Sequence, residues 1–333
     1  MHVAYSPLPA RKTHRDIGMS KLSFQKPHIH QLLSISALDK EKISYLLDRA
    51  EHFLSTCIKK NQLLDTLRGQ VIVNLFFESS TRTRNSFEIA AHRLGAIVLS
   101  PDTTQSATAK GELLIDTIHN LEAMGAKLLV IRHPDNNLTQ FLAAEVSTNI
   151  AIINAGDGSN EHPTQTLLDL LTIRQRISDF SSLTVAILGD VAHSRVARSL
   201  IIGLRLMGVE NIRLVAPEYF LPDPTNAIRA DRFTNIEAGL QDADIIYVLR
   251  IQKERMAATQ YPNESTYFKA FGLTQEKLAL AKPSAIVMHP GPMNRGIEIE
   301  SAVADGPQSV ILSQTHNAVA LRMAVIETVL SNR

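Results

Sequence analysis

The chain has 333 residues, with 34 Lys plus Arg against 33 Asp plus Glu and a single cysteine, Cys57. That length favours two domains with proper cores, and the balanced charge excludes the broad basic field that draws proteins onto nucleic acid or anionic membranes. One cysteine excludes an internal disulfide and a cysteine-rich zinc site, and fits a reducing cytoplasm; the apolar runs at 128–131 and 185–188 are far too short to span a membrane, so a soluble protein is expected.

Residues 1–30 are polar, basic and almost free of acid, and are expected to form a mobile extension. An apolar signal core is missing. The Arg- and Ser-rich composition has some of the character of an organellar presequence, but Pro7 and Pro9 oppose an amphipathic helix, which leaves a flexible partner-binding arm as the better reading.

After Leu32, short β-branched runs alternate with longer helical patterns, the mark of an α/β chain with parallel sheets covered by helices. Strands are expected at 71–77, 96–100, 127–132 and 149–154, then at 183–189, 211–216, 243–249 and 284–289. Phe87, Ala90, Ala91 and Leu94 recur at helical spacing before Gly95; Leu114, Ile118 and Leu121 do so before Gly125, and Ile201, Leu204 and Met207 before Gly208. A last helix should run from about Gln314 to Leu330, and periodicity does not say which half it packs on. Two groups of four strands predict two similar-sized domains, changing over near 156–166, with ligands in the cleft between them beyond the carboxyl ends of the strands.

The most specific segment is 76–88, where a buried strand ends and Ser80, Thr81, Arg82 and Thr83 crowd the beginning of a helix. Free N–H groups, helix dipole, hydroxyls and a guanidinium fork all favour an oxyanion; the plainer alternative is a capped helix with exposed arginines. The polar segment 100–112 carries Ser106 and Lys110, a possible phosphate clamp whose composition also suits an ordinary surface loop. Arg132 ends a strand just before Pro134, and His162, Pro163 and Gln165 open a helix, with Pro163 suited to its first position. There His162 can donate to a carbonyl oxygen and Gln165 can bind a neutral amide, against a simple capping cluster. Arg195, after the strand and turn at 183–194, is a candidate carboxylate binder, as are Arg250 and Gln252 after the strand at 243–249. Exposed ion pairing is the plainer account of Arg250, Lys253 and Arg255, and an ordinary tight turn that of 290–296. The fingerprint G-x-G-x-x-G is missing after the strand at 183–189, which weakens a nicotinamide enzyme.

Taken together, Ser80 to Arg84 (STRTR), Lys110 in AKGE, Arg132 in RHP, His162 in HPTQ and the Arg250-x-Gln252 pair resemble, in order, the motifs of the aspartate carbamoyltransferase family from about Leu32 to the end of the chain. The resemblance implies a carbamoyl-phosphate domain at 31–161 plus 314–333, an aspartate domain at 162–313, and no metal or organic cofactor. It implies that Ser80, Thr81, Arg82, Thr83 and Arg132 hold carbamoyl phosphate, that Thr83, Arg132 and His162 polarise its carbonyl, and that Gln165 lies by the carbamoyl amide. Arg195, Arg250 and Gln252 would hold the aspartate carboxylates. Ser106 and Lys110 would enter from the next subunit of a homotrimer, where Lys110 serves both substrates. The turn His289-Pro290-Gly291-Pro292 resembles the form in many bacterial members; Gly291 and Pro292 would offer backbone to carbamoyl phosphate, while the role of Arg295 stays open. The long N-terminus is similar to that of members that assemble with a dihydroorotase or dihydroorotase-like chain. The rivals are an ornithine carbamoyltransferase, whose cysteine-bearing HCLP loop is missing, and a silent assembly subunit, which the intact phosphate motif opposes.

Overall fold

The computed structural model describes residues 26–103, 111–225, 229–256 and 262–331. Nearly all of the expected extension lies outside these residues, as do Ser106 and Lys110; within the extension's last residues Ile29 is already buried in the core.

Strands β1 (Val71–Phe76), β2 (Ile97–Leu99), β3 (Ala126–His133) and β4 (Ala151–Asp157) form a parallel sheet in the order β2-β1-β3-β4. Strands β5 (Thr184–Leu188), β6 (Asn211–Val215), β7 (Asp231–Phe233), β8 (Ile245–Val248) and β9 (Ile286–Met288) form a second, in the order β7-β6-β5-β8-β9, also parallel throughout. The central strands read as unbroken apolar runs because both faces are covered, as a parallel sheet requires. The eight expected strands are present. A ninth, β7, was not expected: the three residues Asp-Arg-Phe lie at the edge of the second sheet, partly exposed, and so carry no apolar run to read.

The helices are α1 (Lys40–Phe53), α2 (Thr81–Arg93), α3 (Leu114–Ala123), α4 (Leu138–Glu145), α5 (Pro163–Arg174), α6 (Arg195–Leu206), α7 (Ile236–Leu240), α8 (Glu264–Phe271), α9 (Gln275–Leu278), α10 (Ser301–Ala304) and α11 (Ile311–Leu330). Gly95, Gly125 and Gly208 follow α2, α3 and α6 with φ of +83°, +94° and +96°, the left-handed stop that glycine adopts without strain. Two helices join the halves. Helix α5 is buried from Pro163 to Ile173 because it packs on β4, α1, α6 and α11 at once, and α11 lies against α1, α2 and α5. One apolar core therefore runs without a break from the first sheet to the second. Among the described residues no helix is long and apolar enough to cross a membrane.

Strand order reverses at β1, which has β2 on one side and β3 on the other, and at β5, flanked by β6 and β8. Chain leaving the carboxyl ends of such strands departs to opposite faces and opens a crevice. The two crevices face one cavity of about 850 Å3 between the sheets.

Candidate active site

The segment after β1 supplies the first wall. Ser80 stands at the N-cap of α2 without spending its side chain on a cap, and no acidic residue lies in the first turn, so the amide dipoles and the Ser80, Thr81 and Thr83 hydroxyls remain available to an anion. The Arg82 guanidinium has no ion-pair partner among the described residues. Desolvation and the like charge of Arg250 both lower its pKa. A methyl group placed on Gly291 would lie 2.7 Å from Arg82 Cζ, and Gly291 has φ of +64°, so glycine lets this turn come up against the guanidinium.

Two residues before Ser80, Glu78 gathers three arginines from three elements. Its Oε1 lies 2.7 Å from Arg132 Nη2 at the end of β3, its two oxygens take bonds of 2.9 and 2.5 Å from Arg195 at the start of α6, and Arg255 Nη2 stands 3.8 Å away. Burial pushes the Glu78 carboxyl up, but the bonds from Arg195 and the charges of Arg132, Arg195 and Arg255 outweigh it and hold its pKa below the usual value. Arg132 is itself pulled down to about 9 by burial and by Arg195. Gly156, with φ of +119°, makes room here, since a Cβ would meet Arg132 Nη1 at 3.0 Å and Arg195 Nε at 3.1 Å.

His162 and Gln165 project from the start of α5, with Pro163 in the first turn as expected. Burial, then the charges of Arg132, Arg195 and Arg322, push the His162 imidazole well below its ordinary pKa, so it is neutral at physiological pH. Its Nδ1 has no hydrogen-bond partner among the described residues. Gln165 Nε2 donates to the buried Asp169 Oδ1 at 3.0 Å. Burial raises that carboxyl to about 7, against the lowering effect of its donors Tyr247, Gln314 and Gln165.

The opposite wall carries Arg250, held by both oxygens of Glu254, and Gln252, whose backbone N–H donates 2.9 Å to Asp190. After β9, His289 Nδ1 accepts from Gly291 N at 2.8 Å and Nε2 lies 3.3 Å from buried Glu298, which fixes the turn that brings Pro290, Gly291 and Pro292 to the cavity. Arg295 faces away and pairs with Asp305 at 2.6 and 2.8 Å.

Every expected site residue within the described chain lines this one cavity: Ser80, Thr81, Arg82, Thr83, Arg132, His162, Gln165, Arg195, Arg250, Gln252, Gly291 and Pro292. Sequence reading missed Glu78, Arg255, Gln314 and Arg322. Arg255, read as a surface ion pair, instead turns inward. Glu78 lies inside the singled-out segment, but a carboxylate beside an anion site has no local reason to be there until its arginines are known. Among the described residues no group of His, Cys, Asp and Glu is arranged to hold a metal.

Residues 30–175 match the family model described as the aspartate/ornithine carbamoyltransferase carbamoyl-P binding domain, and residues 181–329 match its Asp/Orn binding domain. Aspartate transcarbamoylase from Trypanosoma cruzi in complex with N-(phosphonacetyl)-L-aspartic acid is 31% identical, with TM-score 0.81 over 90% of this chain and 95% of that one. The same enzyme with carbamoyl aspartate and phosphate is 30% identical, with TM-score 0.81 over 94% and 99%. Ornithine carbamoyltransferase from Thermus thermophilus is 26% identical, with TM-score 0.79 over 91% and 99%. With two-domain fold, arginine-lined cleft and both domain models in agreement, this chain belongs to the aspartate/ornithine carbamoyltransferase family.

Proposed function

We propose that the protein is an aspartate carbamoyltransferase, which moves the carbamoyl group of carbamoyl phosphate to the amine of L-aspartate and releases N-carbamoyl-L-aspartate and phosphate, an early step of pyrimidine synthesis. The observation that carries this reading is the charge of the cleft, where, among the described residues, six arginines (Arg82, Arg132, Arg195, Arg250, Arg255 and Arg322) face only Glu78 and Glu254. Both carboxylates are already paired with arginine. A cavity so poised suits a phosphate together with a dicarboxylate; the cationic side chain of ornithine would enter a field of its own sign.

In this reading the neutral amine attacks the carbamoyl carbon while Arg132, Thr83 and His162 take up the charge on the carbonyl oxygen. Neutral His162 has one N–H to give, and its strongly lowered pKa makes it a weak base, so it acts as a donor. Phosphate leaves toward Arg82 and the start of α2, and can carry away the amine proton, so no covalent enzyme intermediate forms. Arg195, Arg250 and Gln252 orient the acceptor, and orientation of two anions together supplies much of the acceleration. Ser106 and Lys110 belong to this proposal as contributions from the next subunit of a trimer, and the N-terminal extension as a docking arm for a dihydroorotase-like chain. The test is phosphate release from carbamoyl phosphate with aspartate, ornithine or no acceptor. Release that depends on aspartate is expected; release with ornithine alone would overturn the assignment, and none with either would leave a silent subunit.

A further inference from the structure

Helix α5 places a carboxylate in a fully buried position. Asp169 has no exposed surface, and an unpaired charge there would be prohibitive. Its two oxygens are met by three donors: Oδ1 accepts from Gln165 Nε2 at 3.0 Å and from Gln314 Nε2 at 2.8 Å, and Oδ2 accepts from the Tyr247 hydroxyl at 2.7 Å. Asp169 does not line the cavity, whereas Gln165 and Gln314 do.

We infer that Asp169 is a positioning residue that fixes which end of the Gln165 amide faces the substrate, and thereby makes the cleft prefer a carbamoyl group to an acyl group of the same size. The inference rests on the proposed reaction. A primary amide has nearly the same shape at its oxygen and nitrogen ends, so shape cannot choose its orientation and the hydrogen-bond partner must. Gln165 and Asp169 are four residues apart and share one face of α5. The Asp169 oxygens accept from all three neighbours, so Gln165 commits Nε2 to them and keeps Oε1 as the end that can serve the cavity. An acceptor there matches the N–H of a carbamoyl amide and offers nothing to a methyl group. The same carboxylate orients Gln314, whose Oε1 accepts from His289 N at 2.9 Å. His289 in turn holds the N–H of Gly291, against which Arg82 lies. One buried carboxyl thus sets both the amide that reads the carbamoyl group and the turn that backs the phosphate arginine.

Asp169→Asn keeps the shape and puts a donor among donors. The readout is selectivity: binding of carbamoyl phosphate and of acetyl phosphate, in which a methyl replaces the amide, measured by calorimetry without acceptor, and kcat/KM for each with aspartate. The expected result is a ratio of carbamoyl to acetyl phosphate that falls tenfold or more, mainly through the carbamoyl substrate. The paired change Asp169→Asn with Gln165→Glu restores a donor facing an acceptor, leaves an oxygen toward the cavity, and is expected to regain part of the ratio. Equal loss of both phosphates in a folded variant, or an unchanged ratio, would overturn the inference and leave Asp169 as a purely structural group. Because the binding ratio needs no acceptor, failure of aspartate as acceptor would count against the reaction and not against Asp169.

Discussion

Glu78 and Arg195 form a two-pronged ion pair, at 2.9 and 2.5 Å, between the loop after the first strand of one sheet and the first helical residue after the first strand of the other. The same carboxylate also holds Arg132 and approaches Arg255, so three like charges converge on one neutralising group. Glu78→Gln should leave those arginines short of a counter-charge. With the Glu78 side chain 28% exposed, the expected loss of stability is about 1–3 kcal/mol, below that for breaking a fully buried pair. Added inorganic phosphate should recover more stability in the variant than in the wild type. Urea unfolding with and without phosphate measures both, and identical curves for the two proteins would remove Glu78 as the organiser of the cluster.

Arg82→Ala removes a guanidinium that has no ion-pair partner among the described residues and should keep the fold while activity drops roughly 100- to 1,000-fold, the scale of losing one oxyanion donor. Gly291→Ala should act through the same group, because the added Cβ meets Arg82 at 2.7 Å and must adopt a left-handed backbone. The loss of steady-state rate in the double variant should be well short of the product of the two single losses. Independent, multiplying effects would show that the turn does not work through Arg82.

Arg250→Ala should raise the KM for aspartate roughly 10- to 100-fold, the worth of a hydrogen bond to a charged group, with binding of carbamoyl phosphate alone nearly unchanged. Calorimetry of carbamoyl phosphate without aspartate provides the comparison. Equal weakening of both substrates would contradict the division of the cleft into a phosphate wall and an acceptor wall.

Lys110→Ala and Arg82→Ala proteins, each inactive alone, should recover activity when refolded together, if Lys110 acts in the neighbouring subunit's site. In a closed three-fold ring every mixed trimer keeps one junction with both residues intact; roughly three quarters of trimers are mixed, so about one quarter of wild-type activity should return. Mixed trimers as inactive as the parents would confine Lys110 to its own chain.

The Asp169 carboxyl titrates near 7 in the folded chain and has an ordinary value of 3.8. The folded state therefore binds the proton more tightly, and this group's contribution to stability is largest at low pH and falls as pH rises from about 4 through 7. Between pH 5 and 8 the wild type should lose roughly 2–3 kcal/mol relative to Asp169→Asn. Denaturant unfolding at the two pH values gives the difference; an Asp169→Asn profile parallel to the wild type would mean the buried carboxylate does not titrate in that range.

Elements whose cause is local are legible in the amino-acid sequence. The strand at 71–76 and the helix from Thr81 announce themselves because the apolar run, the hydroxyls and the arginines are contiguous, and a helix N-terminus binds anions wherever it occurs. Arg132 and His162 were legible for the same reason, at a strand end and a helix start. Tertiary structure decided what depends on partners distant in the chain. Glu78 meets Arg132 54 residues on and Arg195 117 residues on, Asp169 meets Gln314 across 145 residues, and Arg322 meets Ser86 across 236. Nothing near Asp169 in sequence distinguishes it from an exposed acid on an amphipathic helix, because burial on every side of α5 comes from α1, α6, α11 and β4. A buried charge is tolerated only where donors converge on it, and that convergence is a property of the packed chain.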